Sequence, residues 1–272
     1  MVIDAWIQHP ISSYLVAMVI GLAACGQPGD VRTPPPSPDP TPTTSTPAPT
    51  PTPTTTDSGV TSPPAPCGTD MVLVDDFCID AYEAPNVFGA DPIVMFTWDE
   101  STAWCEARGK RLCFDDEWLR ACEGDGLSAY PYGDTHEPGK CNDDEVWRVY
   151  NQSLLSLWPW GLPVEDLDTL ADVLQAAADA GGELAADHIA SLYQAEGSGT
   201  NPECQGQWPV YDLVGNVEEW TTRRDGGSTD FHGNLKGRYW SESRTCQSNI
   251  TSHGDSFRFY EIGFRCCTDP SQ

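Results

Sequence analysis

Cysteine is the residue of this chain best able to do chemistry: there are eleven in 272 residues, with Cys105, Cys113 and Cys122 close together. A thiolate is a nucleophile, a soft metal ligand or half of a disulfide, and spacing separates these uses. No Cys-x-x-Cys occurs, and the five histidines include no pair at zinc spacing. The adjacent pair Cys266-Cys267 is not a metal site of that kind either. So many cysteines without such a centre point to structural disulfides made in an oxidising compartment.

The clustered cysteines need elements to hold them. Thr97 and Glu100 have the spacing of a capping box that opens a helix, and Gly109 sits where that helix wants a left-handed residue after its last turn. Asp115 is a candidate cap for a second helix, whose Trp118, Ala121 and Cys122 share one face. The cysteines are thus expected on a helix pair that faces a core.

The net charge is −27, from 41 acidic and 14 basic residues. That balance argues against nucleic acid as a partner and against direct adhesion to anionic membranes, while it is compatible with Ca²⁺. Residues 1–24 read as a lipoprotein-type signal segment. The apolar run from Ile11 is short for a membrane span and ends in Leu22-Ala23-Ala24-Cys25-Gly26, which resembles a bacterial lipoprotein signal with Cys25 as the acylated residue. The first ten residues carry no Lys or Arg, a departure from that pattern. Residues 25–66 are rich in proline and threonine, as in Pro47-Ala48-Pro49-Thr50-Pro51, and are expected to form a disordered linker reaching at most roughly 120 Å. The expected location is the bacterial cell envelope, lipid-anchored at the outer membrane or facing the periplasm.

Residues 67–270 are long enough for one domain with its own core. Dense Gly, Pro and Trp and few long periodic segments predict an irregular, disulfide-rich α+β fold with short strands and two core helices. Between about 143 and 202 lies an apparent insertion. Its apolar positions at Leu167, Leu170, Ala171 and Leu174, and a similar run from Leu184 to Tyr193, predict an amphipathic helical hairpin split by Gly181-Gly182. That stripe is expected to pack on the core; with Trp158, Pro159 and Trp160 beside it, a partner surface is the alternative.

Several segments now line up in order: Tyr82-Glu83-Ala84-Pro85-Asn86, the helix pair, Tyr130-Pro131-Tyr132-Gly133, Val214-Gly215-Asn216-Val217-Glu218-Glu219-Trp220, and Gly263-Phe264-Arg265-Cys266. Together they resemble the formylglycine-generating enzyme (sulfatase-modifying factor) family, whose fold is related to the C-type lectin module. The resemblance implies that fold here. The family's oxidases convert a sulfatase cysteine to formylglycine with two copper-binding cysteines placed after an Arg-Gly-Gly-Ser segment. The matching stretch here, Lys236-Gly237-Arg238-Tyr239-Trp240-Ser241-Glu242-Ser243-Arg244-Thr245-Cys246, holds a single cysteine. Copper(I) needs soft thiolates, and Ser241 to Thr245 offers none, so no copper is expected. Arg238 stands at a glycine position and Tyr239 at the serine, and Arg238, Tyr239 and Trp240 are the expected pocket residues.

The resemblance implies that Cys105 pairs with Cys266, and Cys122 with Cys246. Cys67 and Cys78 flank an apolar run and suit a hairpin staple, Cys141 and Cys204 bracket the insertion, and Cys113 and Cys267 each adjoin a family-matched pair. Cys113 and Cys267 keep a rival reading as a redox-active couple. The resemblance also implies structural Ca²⁺, held at one site by Glu219, the Val214 and Val217 carbonyls and Asn216, and at a second by Asn142 and the Asp143 carbonyl. The family's three-histidine iron site and the lectin sugar triplets have no counterpart in the sequence. The reading is an envelope-anchored, non-catalytic binding or scaffold module with an unknown protein or glycan partner. The alternative is a formylglycine-generating or other protein-modifying oxidoreductase.

Overall fold

The computed structural model describes residues 66–271. The expected signal segment, Cys25 and the linker as far as residue 65 lie outside the described residues. Cys67 precedes a short hairpin of β1 (Met71–Val74) and β2 (Phe77–Asp80), paired antiparallel with Met71 opposite Asp80. The helix pair follows as α1 (Trp98–Ala107), β3 (Arg111–Leu112) and α2 (Asp115–Glu123). The C-terminal part supplies β4 (Glu218–Thr222), β5 (Gly233–Lys236), β6 (Asn249–Ile250), β7 (Ile262–Phe264) and β8 (Cys266–Thr268). Two four-stranded sheets result, ordered β1-β2-β8-β3 and β6-β5-β4-β7. The first sheet joins the two ends of the domain, since β8 lies between β2 and β3.

The helix α1 begins as its sequence demands. Thr97 Oγ1 accepts the Glu100 N–H at 3.1 Å, and the Glu100 carboxylate accepts the Thr97 N–H at 2.9 Å, a complete capping box. Gly109 ends it in the left-handed region, at φ +69°. Asp115 is not the cap of α2. The residue before the helix is Phe114, whose N–H is taken by the Glu117 carboxylate at 3.0 Å. Asp115 instead accepts the N–H of Arg224 at 2.9 Å, tying the helix to the segment after β4.

Five disulfides link Cys67 to Cys78, Cys105 to Cys266, Cys113 to Cys267, Cys122 to Cys246 and Cys141 to Cys204. The second, third and fourth close separations of 161, 154 and 124 residues and lash α1, β3 and α2 to the C-terminal segments. Links over such distances stabilise by roughly 2–4 kcal/mol each. Beside them, Phe264 stacks on Phe96 at 5.6 Å and meets Trp104 edge-on at 5.2 Å.

The insertion contains α3 (Gln152–Leu155), α4 (Leu170–Ala177) and α5 (Glu183–Leu192). Thr169 caps α4, and Gly181 turns the hairpin at φ +91°. Its buried stripe runs through Leu167, Leu170, Val173 and Ala177, so Ala171 is exposed and Leu174 only half-buried, unlike the expected register. The helix begins only at Leu170 and packs against α5, while ahead of it Trp104 of α1 donates to the Leu167 carbonyl at 2.7 Å. With Ile189 and Leu192 from α5, these residues belong to the same buried cluster as Trp220 and Phe264.

Candidate functional site

Successive residues of a strand point to opposite faces, so Glu218 and Glu219 of β4 look into different parts of the molecule. Both are buried. The Glu219 carboxylate is clasped by Arg265, with Nε at 2.7 Å and Nη2 at 2.6 Å, and accepts the Trp118 indole N–H at 2.9 Å. Arg265 is fully buried, and its Nη2 also donates to the Tyr211 carbonyl at 2.8 Å. This is a satisfied ion pair between the helix pair and the two sheets.

On the other face Glu218 accepts from Arg238 Nη1 at 2.8 Å. Arg238 occupies the left-handed region at φ +58°, which explains why a glycine would suit that position. Its guanidinium also binds Glu242, which in turn binds Arg244. Burial lifts the Glu218 carboxyl to about 7, with Arg238 opposing the rise. Glu261, beside it, is lifted by burial and by the Glu218 charge to about 8. Glu261 Oε2 and the Tyr260 hydroxyl are buried without partners. The arrangement can hold and exchange protons, and it presents no thiol.

The expected pocket residues separate. Arg238 lines a cavity of about 110 Å³ with Arg244, Ser248 and Asn249. Tyr239 and Trp240 are buried; Trp240 packs against Tyr193 and Tyr260 at 5.5 and 6.0 Å between ring centres. Nor does the segment 236–246 hold a free cysteine, because its one sulfur, Cys246, is bonded to Cys122. The Cys113–Cys267 bond joins the two residues whose redox reading stood open.

Of the six expected calcium ligands, the Glu219 and Asn216 side chains already have protein partners, while Val214, Val217 and Asp143 enter the expected sets through their backbone carbonyls. Glu219 is neutralised by Arg265, so its oxygens are already bound to a cation. Asn216 Oδ1 accepts from Asn142 Nδ2 at 3.1 Å and the Glu196 N–H at 2.8 Å, and its amide donates to Glu83 at 2.9 Å. Asp143 meets His136 at 2.8 Å, leaving Oδ1 buried and unpartnered. Among the described residues no three Asp, Glu, His or Cys side chains converge as a metal-binding group.

Sequence reasoning passed over Arg265, Glu83, Asp212, Glu218 and Glu261. Glu83 is fully buried with Oε2 unpartnered, and burial pushes its carboxyl well up. Burial lifts Asp212 to about 6, against its hydrogen bond from the Gly199 N–H at 2.6 Å. For Glu218 a signal was available: two consecutive carboxylates stand between the apolar residues Val217 and Trp220.

Comparison with known proteins bears on these features. The chain is 26% identical over 186 residues to the inactive C-alpha-formylglycine-generating enzyme 2 of Bos taurus, covering 65% of this chain and 50% of that protein. It is 25% identical to the Mus musculus protein of the same name, covering 65% and 49%. The formylglycine-generating enzyme of Streptomyces coelicolor is 27% identical, with 65% and 52% covered. The chain thus spans about half the length of these relatives. Residues 79–270 match the sulfatase-modifying factor enzyme 1-like domain, a region that takes in both arginine–glutamate centres and all five disulfides but for Cys67 and Cys78. With that match covering most of the chain, and with the irregular, disulfide-stapled α+β architecture, this protein belongs to the sulfatase-modifying factor (FGE-sulfatase) family.

Proposed function

We propose that this chain is a non-catalytic binding or scaffold module of the bacterial envelope, tethered through a lipid on Cys25 and the Pro/Thr-rich stretch. One observation carries the reading: all ten cysteines from Cys67 to Cys267 are joined in disulfides. A copper(I) oxidase needs a thiolate pair at its reacting centre. Here the corresponding loop carries Arg238, clamped between Glu218 and Glu242, and a guanidinium cannot ligate copper. The relatives named inactive from Bos taurus and Mus musculus support the same direction.

The test is a thiol count on the unreduced protein in denaturant, beside incubation with copper(I), oxygen and a cysteine peptide. The expected result is no titratable thiol among Cys67 to Cys267 and no aldehyde in the peptide. Two reactive thiols together with copper-dependent aldehyde formation would establish the oxidase reading instead. Acylation of Cys25, read by mass spectrometry of the protein from a bacterial membrane fraction, tests the tether separately.

A further inference from the structure

The insertion builds a cavity that lies apart from both arginine–glutamate centres. Leu155 and Trp158 are anchored in the core, and the chain then passes through Pro159 to Trp160. Gly182 permits this path: a Cβ there would stand 2.5 Å from Pro159 Cδ, so the Trp158-Pro159-Trp160 segment is wedged onto the α4–α5 turn. Trp160 is 72% exposed, with the Arg258 guanidinium 4.3 Å from its ring centre. An indole held by a cation on one face leaves the other open to a ligand.

Beside it is a cavity of about 260 Å³ walled by Trp158, Trp160, Phe257 and Phe259, with Gln152 and Ser156 at its edge. Two N–H donors of residues lining it, Trp158 Nε1 and Arg258 Nε, are buried without acceptors, and Trp158 is only 6% exposed. Arg258 is the cavity's single charged residue, and its Nη2 is paired with Glu100 at 3.2 Å. The site is therefore close to neutral within a chain of net charge −27, a field that repels anions.

These observations select a ligand with a flat apolar face, hydrogen-bonding edges and no negative charge. We propose that this cavity binds a neutral pyranose ring with equatorial substituents, such as a β-linked glucose or N-acetylglucosamine unit. The C–H face of such a ring stacks on an indole, while its hydroxyls reach the exposed Gln152 and Ser156 side chains at the cavity edge. The volume is below the roughly 300–1,000 Å³ of pockets for drug-sized ligands, which limits the buried part to about one ring. The proposal stands whether or not the chain has oxidase chemistry, since no cysteine contributes to it.

The test is titration of the full chain with cellotetraose, chitotetraose and tetragalacturonate, followed by tryptophan fluorescence and calorimetry. Saturable binding of cellotetraose or chitotetraose, with weaker or absent binding of tetragalacturonate, is the expected result, and the preference between the neutral pair tells whether an acetamido group is recognised. Trp160→Ala should weaken that binding by about tenfold, roughly 1.4 kcal/mol, with the unfolding midpoint unchanged because the side chain is exposed. Trp147→Phe, outside the cavity, should leave affinity unchanged. No saturable binding of either neutral tetramer, tighter binding of tetragalacturonate, or unaltered affinity in Trp160→Ala would overturn the proposal.

Discussion

Glu218 and Glu219 are neighbours on one strand, both buried and both facing an arginine, yet they belong to different kinds of place. Around Glu219 every strong partner is matched: two nitrogens of Arg265 and the Trp118 indole take its oxygens. Around Glu218 the pairing is incomplete. Arg238 is shared with Glu242, and Glu261 and Tyr260 keep buried atoms without partners. A satisfied buried ion pair serves as framework, whereas a partly matched cluster of carboxyls is left to titrate. The face that meets the 236–246 loop presents carboxyls and guanidinium groups, and the loop's one cysteine, Cys246, is bonded to Cys122.

The sharpest way to break the comparison is to remove one arginine from each side. Arg265→Met strands the Glu219 charge in the core and should cost about 3–5 kcal/mol in urea unfolding. Pairing it with Glu219→Leu should recover much of that loss, because the double change removes the stranded charge. Next in size, replacing Cys105 and Cys266 together by Ser should cost about 2–5 kcal/mol, read as a fall in the denaturation midpoint. Arg238→Met should cost less, about 1–3 kcal/mol at pH 8, and less still at pH 5, where Glu218 takes up a proton and needs no countercharge.

The smallest expected effect is the pH dependence of the native chain. Glu218 and Glu261 have folded-state values raised to about 7 and about 8. A carboxyl so raised binds more protons folded than unfolded, so its contribution is full below about 4.3 and is lost as pH rises through the folded value. Stability should therefore grow from pH 8 down to pH 5, with Glu218 alone contributing on the order of 1–3 kcal/mol. Glu218→Gln should lessen that slope and leave the Glu261 part, while Arg265→Met should not remove it. A slope unchanged in Glu218→Gln would show that the proton uptake lies elsewhere, with Glu261, and then Asp80 and Asp212, both lifted to about 6 by burial, as the groups to replace next.

Much of the frame was legible in the chain. The Thr97–Glu100 capping box, the turn at Gly109 and the hairpin split at Gly181 are local, decided within a few residues, and appear where the spacing places them. The order of the family motifs was enough to suggest which distant cysteines meet. Where two local solutions were nearly equal, the reading slipped: Phe114 rather than Asp115 precedes α2, and the α4 stripe runs through Val173 instead of Ala171. In both cases a partner outside the local segment is involved: Arg224 takes Asp115, and α5 packs against α4.

The candidate site was legible in kind and not in partnership. Composition and motif order establish from the residues alone that the 236–246 loop has no thiol pair, and that is a statement about which atoms are present. Whether a carboxylate holds calcium or an arginine is a statement about which atoms meet, and Glu219 meets Arg265 across 46 residues of sequence. The alternation of a strand separates Glu218 from Glu219, but only the packing of β7 and the 236–246 loop assigns an arginine to each. Charges are matched in space, at distances no spacing rule encodes.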